Sequence, residues 1–377
     1  MRTEQWQWTA ASGWSTQLPA APREDVDLLL VFAATHQLGD TTELEALRKA
    51  FPCAMFFGCS TAGEIQDVRV HDLSLAVTAV SFEQTRIRGE AVELDTEGSS
   101  HGAAVTLAEK LIDDDLVHVL VLSDGLHVNG SELIAGLLEA LPESVTISGG
   151  LAGDGENWGR TLVLLGEQTG ERRIAAIGFY GDRLRVACGS LGGWDPFGPE
   201  RKITRSEGNV LYELDGRSAL ELYKKYLGDK AAELPASALL FPLSLRMRDG
   251  TRGIVRTVLA IDEEAGSMTF AGDMPQGLWA KFMKANFERL IDGAHQAARV
   301  SLQDGPPPSL AFLVSCVGRK LVLGQRIEEE VEAVRDVLGD QPSLTGFYSL
   351  GEISPFTPSG RCELHNQTMT ITTFVEI

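Results

Sequence analysis

The sequence predicts a mixed α/β protein of two domains, with mixed β-sheets flanked by helices, built on a repeated strand-helix-strand-turn-strand unit. Three observations predict it. Short apolar runs of strand length alternate with amphipathic stretches of helical period along the 377-residue chain. One order of elements occurs three times. The length exceeds what one ordinary core fills.

The elements follow in order. Met1 to Pro22 reads as an N-terminal tail. Its tryptophans, Trp6, Trp8 and Trp14, come without the apolar stretch of a signal peptide. Asp27 to Ala34 is a buried strand, Thr41 to Phe51 a helix with Leu44, Leu47 and Phe51 on one face, and Met55 to Phe57 a short strand running into a turn. Leu73 to Phe82 and Arg86 to Leu94 are further strands. The order restarts with a helix over Ala103 to Ile112, a strand over His118 to Ser123, a helix over Ser131 to Leu141 and a strand over Val145 to Ile147. Thr161 to Leu165, Ile174 to Tyr180 and Leu184 to Leu191 are strands at hairpin spacing. Gly192 to Ser206, rich in Gly and Pro, reads as an irregular connection between domains. Asn209 to Leu214 is a strand, Ser218 to Leu227 a helix, and Phe241 to Arg246, Gly253 to Ile261 and Ser267 to Ala271 a meander. Leu278 to Leu302 reads as one long amphipathic helix, ended by Gly305-Pro306-Pro307-Pro308. A third strand-helix-turn order follows: Leu310 to Ser315, Glu328 to Leu338, the turn at Gly346, and a closing strand over Glu363 to Glu376.

The three turns align without gaps as GCSTAGE at 58–64, SGGLAGD at 148–154 and GFYSLGE at 346–352. Each places Gly sixth and an acid seventh. Glycine permits positive φ or close backbone approach, and the acid can accept N–H groups or meet a ligand's amine. Tight turns with capping acids explain any one of them. Three together suggest loops converging on a cleft.

Acidic residues outnumber basic ones, 53 to 33, for a formal charge of −20. Such a surface repels phosphate backbones and anionic headgroups, which argues against nucleic acid and membrane partners. The longest apolar stretch, Leu28 to Ala34, is too short to span a bilayer. Five scattered cysteines without a CxxC pair indicate free thiols in a reducing, cytoplasmic setting. HExxH and metal-spaced His/Cys clusters do not occur, and Gly58 and Gly63 have P-loop spacing but Glu64 and Ile65 where Lys and Ser/Thr belong. Catalysis is therefore not expected.

The motifs Phe57 to Glu64, Ser148 to Asp154, Leu220 to Gly228, Ser315-Cys316-Val317-Gly318-Arg319, and Gly346 to Glu352 with Leu364 to Thr368 together resemble the FIST family. The resemblance implies a FIST N-terminal domain over 23–206 and a FIST C-terminal domain over 207–377, after a tail over 1–22. It implies a bacterial-type sensory module that binds a small ligand of the amino-acid or small-carboxylate class and regulates a separate partner. Histidine kinases, cyclic-dinucleotide enzymes and chemoreceptors are the partner classes. A subset of the family resembles haem-binding nitric-oxide sensors, an alternative reading.

Within that frame the candidate ligand-binding residues are Arg319, Asp124, Gly58, Ser60, Gly63, Glu64, Gly149, Gly150, Asp154, Cys316, Tyr348, Glu352 and Asn366. Arg319 can bind an anionic ligand group bidentately, or pair with a turn acid such as Glu352. Asp124 can receive an ammonium, or form an Asx turn with Gly125. His365, beside Met369 and Ile371 by strand alternation, is the candidate haem-iron ligand, with His127 and His36 as further ones; the other expectation is a buried imidazole with a backbone or acid partner. Cys59 and Cys316 would carry any cysteine-dependent chemistry, although small buried residues are the plainer reading.

Overall fold

The computed structural model describes residues 1–95, 98–234, 236–246, 253–302, 306–355 and 360–377. The expected break at Gly305 lies outside the described residues. The mixed α/β architecture is as the sequence predicts, and the threefold repetition is its organising feature. In the first repeat the apolar run Leu28–Ala33 pairs in parallel with Met55–Ser60 and antiparallel with Ser74–Ser81. In the second, Leu116–Ser123 pairs in the same way with Thr146–Leu151 and Arg173–Tyr180. In the third, Leu310–Cys316 does so with Ser343–Ser349 and Met369–Glu376. All three first strands are near-continuously buried, as strands covered on both faces must be.

Each repeat lends a strand to a neighbour. Glu64–Gln66 of the first joins Ser343–Ser349 of the third, Gly351–Pro355 of the third joins Thr146–Leu151 of the second, and Val163–Leu165 of the second joins Met55–Ser60 of the first. The exchange closes a ring. Its inner hydrogen bonds run from Ala62 N to Tyr348 O at 2.8 Å, from Leu350 N to Leu151 O at 3.2 Å, and from Gly153 N to Ser60 O at 2.8 Å. The three sheets therefore face one another around a filled core, where Phe32 lies 5.0 Å from Phe347 and 5.6 Å from Phe312, ring centre to ring centre.

Register corrects the turn alignment. Gly58, Gly149 and Gly346 stand opposite Val31, Val121 and Leu313. A Cβ at these glycines would lie 1.7, 1.8 and 1.8 Å from those three carbonyl oxygens, so only glycine fits. The equivalent of Gly58 is thus Gly149 and not Ser148. Asp154 consequently matches Gly63 and Gly351, while Glu64 and Glu352 are true counterparts.

Other expectations change. The first 22 residues are not a tail throughout: Arg2–Thr9 is a strand on Ser74–Ser81, and its alternation buries Trp6 against Phe51 at 5.3 Å. Gly192 to Ser206 is not irregular, since Asp195–Glu207 is a long strand whose pairing with Trp279–Lys284 shifts register between Phe197 and Arg201, where Gly198 and Pro199 fall. The long helix over 278–302 is a strand, Trp279–Lys284, and a separate helix, Phe287–Ser301. The strand is hydrogen-bonded on both edges, and Asn286 caps the helix by accepting Arg289 N at 3.3 Å.

The strands from Asp195–Glu207 to Trp279–Lys284 form an eight-stranded sheet of their own, an insert between the second and third repeats with its own core around Tyr223 and Phe282. The expected division at 206/207 falls inside its first strand, and pairing of Leu184–Leu191 with Met369–Glu376 joins residues on either side of it. Among the described residues no helix is long and apolar enough to cross a membrane.

Candidate functional site

A cavity of about 560 Å³ opens outside the carboxyl ends of the parallel strands of the first repeat, where α/β folds commonly bind ligands. Four carboxylates line it: Asp40, Glu64, Asp72 and Asp154. Arg160 and His36 are the basic side chains on its wall, and Arg160 Nε is 2.5 Å from Glu171. Lys320 reaches the rim, bonded to Ala62 O at 2.7 Å and to Asp72. The corresponding ends of the second and third repeats lie against the insert. There Asn129 Nδ2 meets Asp273 at 3.3 Å, and Gln367 Nε2 meets Leu239 O at 3.3 Å.

Glu64 forms the buried floor. It accepts Thr61 Oγ1 at 2.5 Å, Ser74 Oγ at 2.7 Å and Ser74 N at 3.2 Å. Burial nevertheless dominates and pushes its carboxyl up to about 7. Glu352 repeats the arrangement in the third repeat, accepting Ser349 Oγ at 2.8 Å and Thr368 N and Oγ1 at 3.1 and 2.9 Å; complete burial pushes it up to about 8. Asp154 is held differently, by Thr35 Oγ1 at 2.5 Å and by Gly159 N and Arg160 N at 2.9 and 3.0 Å. These bonds fix the loop that closes the cavity.

The second repeat explains what the cavity lacks. Asp124 follows the strand Leu116–Ser123 and is fully buried. Its carboxylate accepts Leu126 N at 2.7 Å, His127 N at 2.8 Å and Arg172 N at 2.7 Å. Burial opposes its ionisation, but these N–H groups outweigh it and hold the carboxyl below the ordinary range. Leu73, Arg172 and Gln367 are equivalent by strand register, and all three have left-handed φ, 55°, 53° and 64°. Ala34 N to Ser74 O (3.2 Å), Asp124 N to Arg173 O (2.8 Å) and Cys316 N to Thr368 O (3.1 Å) likewise match. Ala34 thus stands where Asp124 does, and Cys316 takes the same place in the third repeat, its thiol against the backbone of Gln367 and Gly318. In the first repeat a methyl replaces the carboxylate, and Ala34, His36 and Leu73 all line the cavity.

Of the residues singled out in the sequence, Gly63, Glu64 and Asp154 line this cavity. Gly58 and Gly149 hold the strand crossings. Gly150 packs at the centre, where a Cβ would lie 2.7 Å from Val314. Ser60 donates to Gly153 O at 2.7 Å and accepts Leu162 N at 2.8 Å within the ring. Asn366 is buried. Arg319 is not placed to meet a ligand, and its partner is not Glu352. It is fully buried, with Nε and Nη2 on Glu330 at 3.0 and 2.7 Å, Nη1 on Gly192 O at 2.6 Å and Nη2 on Leu290 O at 2.7 Å. Tyr348 donates to the same Glu330 at 2.7 Å. The residues after Cys316 form a helix, Val317–Leu323, and its packing turns Arg319 inward.

Burial pushes the thiols of Cys59 and Cys316 well up, away from nucleophilic character. His365 is 1% exposed, its Nε2 lies 2.7 Å from Ser354 O, and burial pushes it down to about 4. An enclosed imidazole with that nitrogen on a carbonyl does not fit haem ligation. The sequence reading missed Ala34, Asp40, Leu73, Asp72, Asn157 and Arg160. Leu73 carried a signal, as an apolar residue between Asp72 and Ser74 at a turn, and it proves 64% exposed.

Fold and cavity together define a three-repeat α/β scaffold with an open acidic cavity at a repeat end. The chain belongs to the FIST family: the FIST N domain model matches residues 27–217 and the FIST C domain model residues 219–355. FIST domains are sensory, signal-transduction domains that bind ligands. An uncharacterized protein of Methanocaldococcus jannaschii is 23% identical over 312 residues; the match covers 77% of this chain, which spans 60% of that relative's length. A solved cyanuric acid hydrolase from A. caulinodans aligns at 10% identity and a TM-score of 0.19, over 78% of this chain and 99% of that one. A likeness of that size carries no argument about fold or activity.

Proposed function

We propose that the chain is a non-catalytic sensory module that binds a free amino acid in the first-repeat cavity and signals its occupancy to a separate partner, of the histidine-kinase, cyclic-dinucleotide-enzyme or chemoreceptor class. The observation that carries this reading is the replacement of Asp124 by Ala34 at equivalent positions. The backbone N–H groups that hold a carboxylate in the second repeat have counterparts at His36 and Leu73, beside an open cavity. A ligand carboxylate would take the place of the missing side chain. Its ammonium would then face Asp40, Asp72 and Asp154, where negative charge is in excess.

Calorimetric titration with a panel of L-amino acids, their methyl esters and the corresponding decarboxylated amines tests this. Charge-assisted hydrogen bonds of this kind contribute about 1.5–3 kcal/mol, so loss of the carboxylate is expected to weaken binding roughly ten- to hundredfold. Equal affinity for acid and amine, or no binding by any amino acid, would sink the reading.

A further inference from the structure

A second cavity, of about 420 Å³, lies at the seam between the insert and the second repeat. The scaffold side presents Leu151, Trp158 and Leu350, and the insert side Leu259, Phe270 and Ala271. His127 is the titratable side chain on its wall. Its Nδ1 lies 3.1 and 3.2 Å from the Asp124 carboxylate oxygens. A carboxylate accepts, so Nδ1 carries a proton, and in that tautomer Nε2 is the ring's acceptor. Two amide side chains also border the wall: Asn129 Oδ1 caps a helix through Ser131 N and Glu132 N, its Nδ2 meets Asp273, and Asn209 Nδ2 donates to Phe270 O at 2.8 Å.

We propose that this seam cavity is a second binding site, for a small uncharged ring compound carrying one hydroxyl or N–H donor, of the phenol or indole class. The volume falls within the range of small-molecule sites, and apolar side chains with a few placed polar groups are their usual composition. The Trp158 ring supplies a flat surface, and His127 Nε2 supplies the acceptor. A zwitterion would bring two charges with no partners on this wall, so the site differs in kind from the acidic cavity. The two cavities share a segment. Asp154, Asn157 and Arg160 border the acidic one and Trp158 the seam, with Trp158 itself at a left-handed φ of 56°. A ring seated on Trp158 therefore bears on the loop that closes the first cavity.

The test is a two-by-two comparison on the full chain: p-cresol and toluene against the wild-type protein and His127→Phe, followed by NMR titration of the His127 and Trp158 ring signals. One hydrogen bond is worth about 0.5–1.5 kcal/mol. The wild type should prefer p-cresol over toluene by roughly three- to tenfold beyond their difference in water-to-hydrocarbon partition, and His127→Phe should lose that preference while still binding toluene. Leu259→Trp, which fills the cavity from the insert side, should abolish both. The proposal is overturned if p-cresol does not move the His127 and Trp158 signals at millimolar concentration, or if the preference persists in His127→Phe. Ala34→Asp, which alters only the acidic cavity, should bind p-cresol as the wild type does, so the failure of one site is distinguished from that of the other.

Discussion

The carboxylate of Asp124 accepts the backbone N–H of Arg172 at 2.7 Å, and in the first repeat the equivalent N–H belongs to Leu73, with Ala34 in the place of Asp124. One scaffold thus contains a filled and an open version of a single pocket. Asp124 acts as an internal stand-in for the ligand group that the first cavity would take. The third repeat fills the place with the Cys316 thiol. Divergence at one position, among Ala34, Asp124 and Cys316, decides which repeat leaves that place open.

The acids of the cavity should divide by role. Asp72→Asn removes an exposed charge at the rim and should weaken amino-acid binding severalfold while leaving binding of simple carboxylates unchanged or tighter. Calorimetry with glycine and acetate as paired ligands would show it. A parallel loss for both ligands would mean that Asp72 acts through its bond to Lys320 instead.

Stability should fall with pH in a defined window. Glu352 is pushed up to about 8 and Glu64 to about 7, both above the ordinary carboxyl value of 4.5. The folded state therefore holds protons that the unfolded state releases, and stability declines as pH rises toward the folded values. His365 and His118, pushed down to about 4 and about 3, act in the opposite sense below pH 6.5. The clean window is pH 6.5 to 8. Across it the wild type should lose on the order of 1–2 kcal/mol in urea unfolding. Glu352→Gln should flatten most of that slope, and an unchanged slope would show that Glu352 does not ionise there.

Removing the buried charge partner of Arg319 should cost stability without touching recognition. Glu330→Gln leaves a guanidinium enclosed without its counter-charge, at a cost of about 3–5 kcal/mol. Where the variant stays folded, its amino-acid affinity should equal that of the wild type. A selective loss of affinity would return Arg319 to the ligand site.

The strand-crossing glycines should tolerate no side chain. Gly149→Ala and Gly346→Ala each force a Cβ to within 1.8 Å of a backbone carbonyl, and should destabilise by more than about 3 kcal/mol. Gly155→Ala meets nothing within 4 Å and carries only the strain of φ 55°, about 1 kcal/mol. Denaturation of the three variants should separate them in that order.

The repeat was legible in the sequence because the buried strands carry unbroken apolar runs such as Leu28–Ala33 and 310–314, and because glycine recurs where backbones touch. The family was legible from the motifs that those turns carry. The site was legible only in part. Gly63, Glu64 and Asp154 were found as turn residues, but the alignment slipped by one in the second repeat, since a run of small residues at 148–150 offers no side chain to fix the register. Arg319 misled because a cation after a strand looks the same in sequence whether it faces solvent or Glu330. Ala34 could not be found at all. Its meaning lies in a missing carboxylate, visible only when the register places it beside Asp124.

The central claim is tested most directly by Ala34→Asp. Aspartate there would reproduce the second repeat, accept the N–H groups of His36 and Leu73, and occupy the seat of the ligand carboxylate. Calorimetry on the folded variant should show thermal stability at or above that of the wild type and amino-acid binding weakened at least about a hundredfold. Wild-type affinity in Ala34→Asp, with the fold intact, would contradict the account.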